Sequence, residues 1–268
     1  MKKFLDINDI KICLDDTETD KKPIILIHGL SSSKEAMYIF RDQLKDDYRV
    51  ITIDARGHGE STHPLEYTLE DHVSDILEVI KQLELDEVDV LGYSMGSYIS
   101  LALAEENCEN INHLILLCTN PTSRVSSVSY LLSKKGLDYS KISRSDMFKA
   151  IYDSFLAPST LKKIASGEFK LNTSSSSYTI PELSPEEKAA ELKSISNFDN
   201  SKKYDSVTCK TLVIGAEYDQ ILPYELGQEV AESIENAEFK LIKDAGHMVA
   251  YEKTEELLNT IKEFLKKE

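Results

Sequence analysis

One stretch limits what this chain can become: Val88-Asp89-Val90-Leu91-Gly92-Tyr93-Ser94-Met95-Gly96. The apolar run reads as a buried strand and the pattern from Ser97 to Glu106 as a helix, with a very short turn between them. So sharp a turn brings the backbone against itself on either side of the serine, where glycine leaves room. The serine sits in a strained conformation with its hydroxyl lifted out of the sheet, and the next helix points its N-terminal N–H groups at it. A G-x-S-x-G pentapeptide arises by chance in roughly one in ten chains of this length. The order of the surrounding elements therefore has to carry the argument.

That order is regular. Phe4 to Leu14 alternates around Asn8-Asp9 and predicts a hairpin. Ile24-Ile25-Leu26-Ile27 and Val50-Ile51-Thr52-Ile53 predict central strands. The first ends in His28-Gly29-Leu30-Ser31-Ser32-Ser33, the second in Asp54-Ala55-Arg56-Gly57-His58-Gly59-Glu60-Ser61. Helices are expected over Lys34 to Lys45 and after Thr68-Leu69-Glu70-Asp71, a capping box with Asp in place of Glu. Ile111 to Leu117, Thr211 to Ile214 and Glu238 to Ile242 read as further strands, and Tyr224 to Ile234 and Thr254 to Lys267 as helices. This alternation predicts an α/β fold with a doubly wound, mostly parallel, eight-stranded sheet.

From Pro121 to Asp205 the alternation stops. Residues 1–120 and 206–268 are read as the core, and 121–205 as a helical lid inserted between two strands. Ser145-Asp146-Met147-Phe148 opens one expected helix running toward Leu156, and Ser184-Pro185-Glu186-Glu187 opens another. Leu171 to Ser177 reads as a polar link. Between Pro121 and Lys170 nine basic residues, among them Arg124 and Arg144, stand against four acidic ones. A solvated helix surface explains that surplus, and so does attraction of an anionic substrate. Tyr130, Met147, Phe148 and Tyr152 are candidates to line a substrate pocket.

The formal net charge of −16 and pI near 4.9 argue against nucleic acid or anionic membrane surfaces as partners. Asp6, Asn8 and Asp9 interrupt any signal-peptide core, and no run approaches the roughly 18 apolar residues of a membrane span. Cys13, Cys108, Cys118 and Cys209 lack metal-ligand spacing and read as reduced cysteines of a cytoplasmic protein, so no metal and no cofactor are expected. A monomer or homodimer acting on a small molecule is the expected state.

A carboxylate and a histidine follow later strand ends, in the order Ser94, Asp219, His247. With His28-Gly29-Leu30, the Asp54 to Ser61 segment, Gly92 to Gly96, Gly215 to Pro223 and Gly246-His247, the chain resembles the α/β-hydrolase superfamily, in a serine esterase or lipase-like form, over nearly its whole length. The resemblance implies Ser94 as nucleophile, His247 as its base and Asp219 as the orienting acid, with Glu217 a competitor for that last role. It implies an oxyanion hole from the backbone N–H groups of Leu30 and Met95. Asp244 reads as a turn residue, His28 and His58 as loop-holding residues, and His63, His72 and His113 as surface or helix residues. The lid matches no motif of the superfamily. Ser97-Tyr98 departs from the Gly-Arg or Gly-Gly of some subfamilies.

A serine nucleophile argues against the dehalogenase and epoxide-hydrolase branches, which use aspartate. The expected function is cleavage of a small or medium acyl ester through an acyl-enzyme, as in a carboxylesterase or monoacyl-lipid lipase. A C–C bond hydrolase or lyase acting on an anionic substrate is the alternative, and a non-catalytic binding or signalling module is the third reading.

Overall fold

The apolar runs become the middle of one sheet. In the computed structural model, which describes residues 1–122, 127–171, 182–196, 198–199 and 203–267, eight strands lie in the order β1-β2-β4-β3-β5-β6-β7-β8. They are β1 (Lys2–Ile7), β2 (Ile10–Asp16), β3 (Pro23–Ile27), β4 (Arg49–Ile53), β5 (Val88–Tyr93), β6 (Ile111–Leu117), β7 (Lys210–Ala216) and β8 (Ala237–Ile242). The β1–β2 and β2–β4 pairs are antiparallel and every other pair is parallel. The central strands are buried along nearly their whole length, whereas the edge strands β1 and β8 alternate between covered and open residues. Continuous apolar sequence and a position covered on both faces therefore coincide, as a doubly wound sheet requires.

The helices are α1 (Tyr38–Leu44), α2 (Leu69–Gln82), α3 (Met95–Asn107), α4 (Ser127–Lys134), α5 (Arg144–Ala150), α6 (Tyr152–Phe155), α7 (Pro158–Ala165), α8 (Pro185–Ser194), α9 (Tyr224–Ser233), α10 (Val249–Glu252) and α11 (Thr254–Phe264). Both expected capping boxes form. Thr68 and Asp71 close the start of α2, and Ser184 and Glu187 close the start of α8 with Pro185 at its first position. Two details differ from expectation. The Lys34 to Lys45 helix opens with a tighter 3₁₀ turn, Lys34–Met37. The helix expected from Ser145 is capped by Ser143 instead and breaks at Ile151 into α5 and α6.

Helices α4 to α8 all fall between β6 and β7, and the segment's one β-bridge among the described residues joins Thr122 to Asp199. The polar link after Leu171 and Arg124 lie outside the described residues. Among the described residues, no helix is long and apolar enough to cross a membrane.

Chain order places β3 and β4 on one side of the starting point and β5 to β8 on the other, so the switch point lies between β3 and β5. In such sheets the crevice for a ligand opens at the carboxyl ends of those two strands. The Leu30 and Ser94 turns sit there. Ser31, Ser94, Cys118 and Asp244, in the turns after β3, β5, β6 and β8, all adopt left-handed backbone, with φ between 52° and 56°. Local strain is thus concentrated along this edge of the sheet.

The Ser94 turn is held by packing that allows no side chain at its glycines. A Cβ on Gly92 would lie 2.1 Å from the Gly96 carbonyl oxygen, and one on Gly96 would lie 2.2 Å from the Ile27 carbonyl oxygen. Both obstacles are backbone, which cannot rotate away. Gly96→Ala is expected to destabilise the protein by about 3 kcal/mol, or roughly 6–12 °C in Tm. A variant melting at the wild-type temperature would contradict this packing.

Candidate active site

At the end of β5 the Ser94 N–H donates to the Leu117 carbonyl at 2.9 Å and the Ser94 carbonyl accepts from Ser97 N–H at 2.8 Å, which pins the turn on both sides. The Ser94 Oγ lies 3.1 Å from His247 Nε2. The other ring nitrogen, Nδ1, lies 2.7 Å from Asp219 Oδ2. Asp219 Oδ1 accepts from the backbone N–H groups of Ile221 and Leu222, each at 2.8 Å. With the carboxylate facing Nδ1, that nitrogen carries the proton and Nε2 is left as the acceptor for the Ser94 hydroxyl. Tyr93 OH donates to the His247 carbonyl and secures the histidine turn from below.

Glu217 is elsewhere: its carboxylate accepts from the Asp244 N–H at 2.8 Å. Asp244, in the turn, takes bonds from Ser159 and Lys253. The Leu30 turn touches the Ser94 turn directly, since a Cβ on Gly29 would lie 3.3 Å from Ser94 Cβ. Among the described residues, neither the Leu30 N–H nor the Met95 N–H donates to a backbone acceptor outside regular elements. Met95 is the first residue of α3, where a helical N–H has no partner within its own helix.

The histidines divide by their partners. His28 donates from Nδ1 to the Gly29 carbonyl at 2.7 Å and accepts the Ala55 N–H at Nε2, so it is neutral. Burial, reinforced by the charge on His58, takes its pKa down to about 3. His58 faces acceptors on both sides, the Arg56 carbonyl at 2.9 Å and Glu191 Oε1 at 2.6 Å, so it carries two protons. Burial opposes that charge, but Glu191 outweighs it and raises the pKa of His58 above the ordinary value. His113 is a correction: it is buried on β6, facing Asp89 and the Lys267 carbonyl, not on a surface or a helix. His72 lies on α2 as expected but is fully buried, while His63 is half-buried and pairs with Glu187.

Glu191, on α8, was not indicated by any motif, yet it joins the inserted segment to the sheet edge. It is fully buried. Oε1 accepts from the Ser31 N–H at 2.5 Å as well as from His58, and Oε2 accepts from Tyr139 OH at 2.5 Å and from Ser31 Oγ at 3.2 Å. Burial by itself would push its carboxyl up, but the charge of His58 and the hydrogen bonds outweigh it and hold the carboxyl below its usual range.

The sign of the pH dependence follows. The lowered carboxyl stabilises the fold above its unfolded value of 4.5, an effect lost as pH falls through the native value. The raised histidine stabilises below its unfolded value of 6.5, an effect lost as pH rises through the native value. The Tm difference between wild type and Glu191→Gln is therefore expected to be largest between pH 4.5 and 6.5 and to shrink on both sides. A difference that is flat in pH would mean the pair is not ionised.

The aromatic candidates separate. Phe148 packs on Tyr152 and Phe155, with ring centroids 5.2 and 5.4 Å away, and Phe155 in turn lies 5.8 Å from the His247 ring. Met147 is buried nearby on α5. Tyr130 does not join them; it is exposed, with Lys134 over its ring.

Among the described residues, two clusters have donor sets that a metal ion could use. Cys13, Asp54 and Glu60 form one, but the Lys34 ammonium already fills it, 2.9 Å from Asp54 and 3.4 Å from Glu60. Cys118, Asp219 and His247 form the other, with ligand atoms all within 4.8 Å. Burial, with the neighbouring Asp219 carboxylate, pushes the Cys118 thiol well up, so Cys118 stays protonated and bonds Asp219 as a thiol.

Set beside known proteins, residues 22–254 match the family model described as the alpha/beta hydrolase fold. The chain is 27% identical to the proline iminopeptidase PfmaB of Pestalotiopsis fici over 100% of both chains. An esterase from Exiguobacterium antarcticum superposes with a TM-score of 0.81 at 25% identity, covering 100% of both chains. A bromoperoxidase from Bacillus anthracis superposes at 0.82, also with 25% identity and 100% coverage of both. These similar proteins carry different chemistries on one architecture, so the reaction has to be argued from the side chains at the site.

Proposed function

The chain belongs to the alpha/beta hydrolase fold family, and from that premise we propose that it is a serine hydrolase cleaving a small or medium acyl ester. The observation that supports this reading is the relay from Ser94 Oγ through His247 to Asp219, with bonds of 3.1 and 2.7 Å. Ser94 attacks the acyl carbonyl while His247 Nε2 takes its proton. His247 then returns that proton to the leaving alcohol, leaving an acyl-serine. Water, deprotonated by His247, releases the acid and restores the hydroxyl. Asp219 keeps the ring in the required tautomer and stabilises its cationic form. The Leu30 and Met95 N–H groups receive the negative charge that develops on the carbonyl oxygen.

Helices α4 to α8 act as a lid, and Phe155, Phe148 and Tyr152 supply an apolar wall beside His247. A C–C bond hydrolase or lyase acting on an anionic substrate is the second reading, favoured by the basic surplus of the inserted segment. The test is a panel of p-nitrophenyl esters of increasing chain length, run beside ketone substrates and with fluorophosphonate labelling of Ser94. Ester turnover with labelling supports the first reading, ketone cleavage alone supports the second, and an inert, unlabelled protein contradicts both.

A further inference from the structure

Ser94 and His247 come from strands that are not neighbours. In the order β5-β6-β7-β8, Ser94 follows β5 and His247 follows β8, three strand spacings or about 14 Å away. The His247 turn must therefore reach back across the ends of β6 and β7. Several bonds hold it on the way. The Tyr218 N–H donates to the Ala245 carbonyl at 2.7 Å, the Asp244 N–H to Glu217 at 2.8 Å, and the Met248 N–H to the Phe155 carbonyl at 3.0 Å. None of these reaches β5.

Among the described residues, one hydrogen bond besides that of the imidazole joins the turn to β5: Tyr93 OH donates to the His247 carbonyl. Tyr93 is the last residue of β5 and directly precedes Ser94. The N–H groups of Tyr251 and Glu252 both go to the Met248 carbonyl, at 2.8 and 3.1 Å, which leaves the His247 carbonyl to the phenol. The Tyr93 ring is itself held, with its centroid 5.7 Å from the His247 ring and 6.5 Å, edge-on, from that of Phe40 on α1. Its carbonyl oxygen would lie 3.4 Å from a Cβ on Gly29. One residue thus touches the Ser94, His247 and Leu30 turns.

The Ser94–His247 bond cannot fix its own length, because the proton in it moves at each chemical step. A group outside the proton transfer has to keep the two residues in register. Burial raises the Tyr93 phenol well above its ordinary pKa, so the donor is present across the working pH range. Resting on the serine-hydrolase reading above, we propose that Tyr93 is a positioning residue, whose hydroxyl sets the distance from His247 Nε2 to Ser94 Oγ by anchoring the histidine turn to the strand that carries the serine.

Tyr93→Phe keeps both ring contacts and removes only the donor. With p-nitrophenyl esters, kcat is expected to fall about 10- to 100-fold while KM changes less than about 2-fold. Fluorophosphonate labelling of Ser94 should slow by a similar factor. Tm should fall by only about 2–4 °C, the effect of one lost hydrogen bond. The acid limb of the kcat/KM profile should keep its place, because Nδ1 remains on Asp219. Placing 4-aminophenylalanine at position 93 restores a donor at the same reach and should recover most of kcat. Hydrogen exchange gives a readout independent of turnover: amides from Asp244 to Val249 should exchange faster in Tyr93→Phe than in the wild type.

Wild-type kcat and labelling in Tyr93→Phe overturn the positioning role and leave the serine reading standing, as does a loss of kcat that 4-aminophenylalanine fails to recover. Faster exchange in Tyr93→Phe of a protein whose wild type turns over no ester and takes no fluorophosphonate keeps the anchor and overturns the serine reading.

Discussion

Replacing Ser94 by alanine is expected to lower ester turnover by about 10⁴-fold or more and to abolish fluorophosphonate labelling, with Tm close to wild type. On the proposed mechanism, no other group can take over the attack. Cys118, the nearby thiol, is held protonated by burial beside Asp219 and bonds that carboxylate. The loss corresponds to about 5.5 kcal/mol of transition-state stabilisation at roughly 1.4 kcal/mol per decade. The fold should survive because what shapes the turn is backbone. Ser94 has φ 56°, a strain alanine tolerates no worse than serine, and the Leu117 and Ser97 bonds use its main-chain atoms. Residual turnover above water would come from binding and from the Leu30 and Met95 N–H groups, which the substitution leaves in place. Wild-type labelling of the variant would place the nucleophile elsewhere.

The second large effect is expected at Glu191, more than ninety positions from Ser94. Glu191→Ala removes a buried carboxylate and leaves the His58 imidazolium, the Ser31 N–H and the Tyr139 hydroxyl without their acceptor. Breaking a buried charged pair from one side costs about 3–5 kcal/mol, which for a chain of this size is roughly 6–20 °C in Tm. A rate effect should accompany it. Ser31 directly follows Leu30, so losing the bond to Ser31 N–H frees a turn whose N–H is proposed to meet the developing oxyanion. Displacement of about 1 Å in such a group costs up to about 100-fold in kcat, with KM changing less. Glu191→Gln keeps an acceptor and the side-chain shape, and should recover part of both losses. A variant with wild-type Tm and kcat would show that the carboxylate holds nothing in place.

The inserted segment grips the other side of the site as well. The Phe155 carbonyl accepts from Met248 N–H at 3.0 Å, and the Ala157 N–H donates to Glu252 Oε2 at 2.9 Å, while Glu252 Oε1 accepts from Gly246 N–H at 2.7 Å. The junction of α6 and α7 is thus tied to the turn carrying His247, and α8 to the turn carrying Leu30.

Some of this could be read before any coordinates, and some could not. The strands, most helices, both capping boxes and the Ser94 turn follow from short contiguous patterns: apolar runs, a cap with an acid three residues on, glycines flanking a serine. Each is decided by forces acting over a few residues, so each is written in a few residues. The burial of His113 is not written locally, because its partners are Asp89 and Lys267, which lie 24 and 154 positions away.

The sequence by itself determined the kind of fold and which turns would line the carboxyl edge of the sheet. Only the tertiary structure decided that a glutamate on α8 would close on Ser31, 160 positions earlier, and that the same carboxylate would meet His58, 133 positions earlier. Those outcomes depend on how every intervening element stacks, because a hydrogen bond tolerates only a few tenths of an ångström and no local pattern carries so fine a distance across so long a stretch of chain.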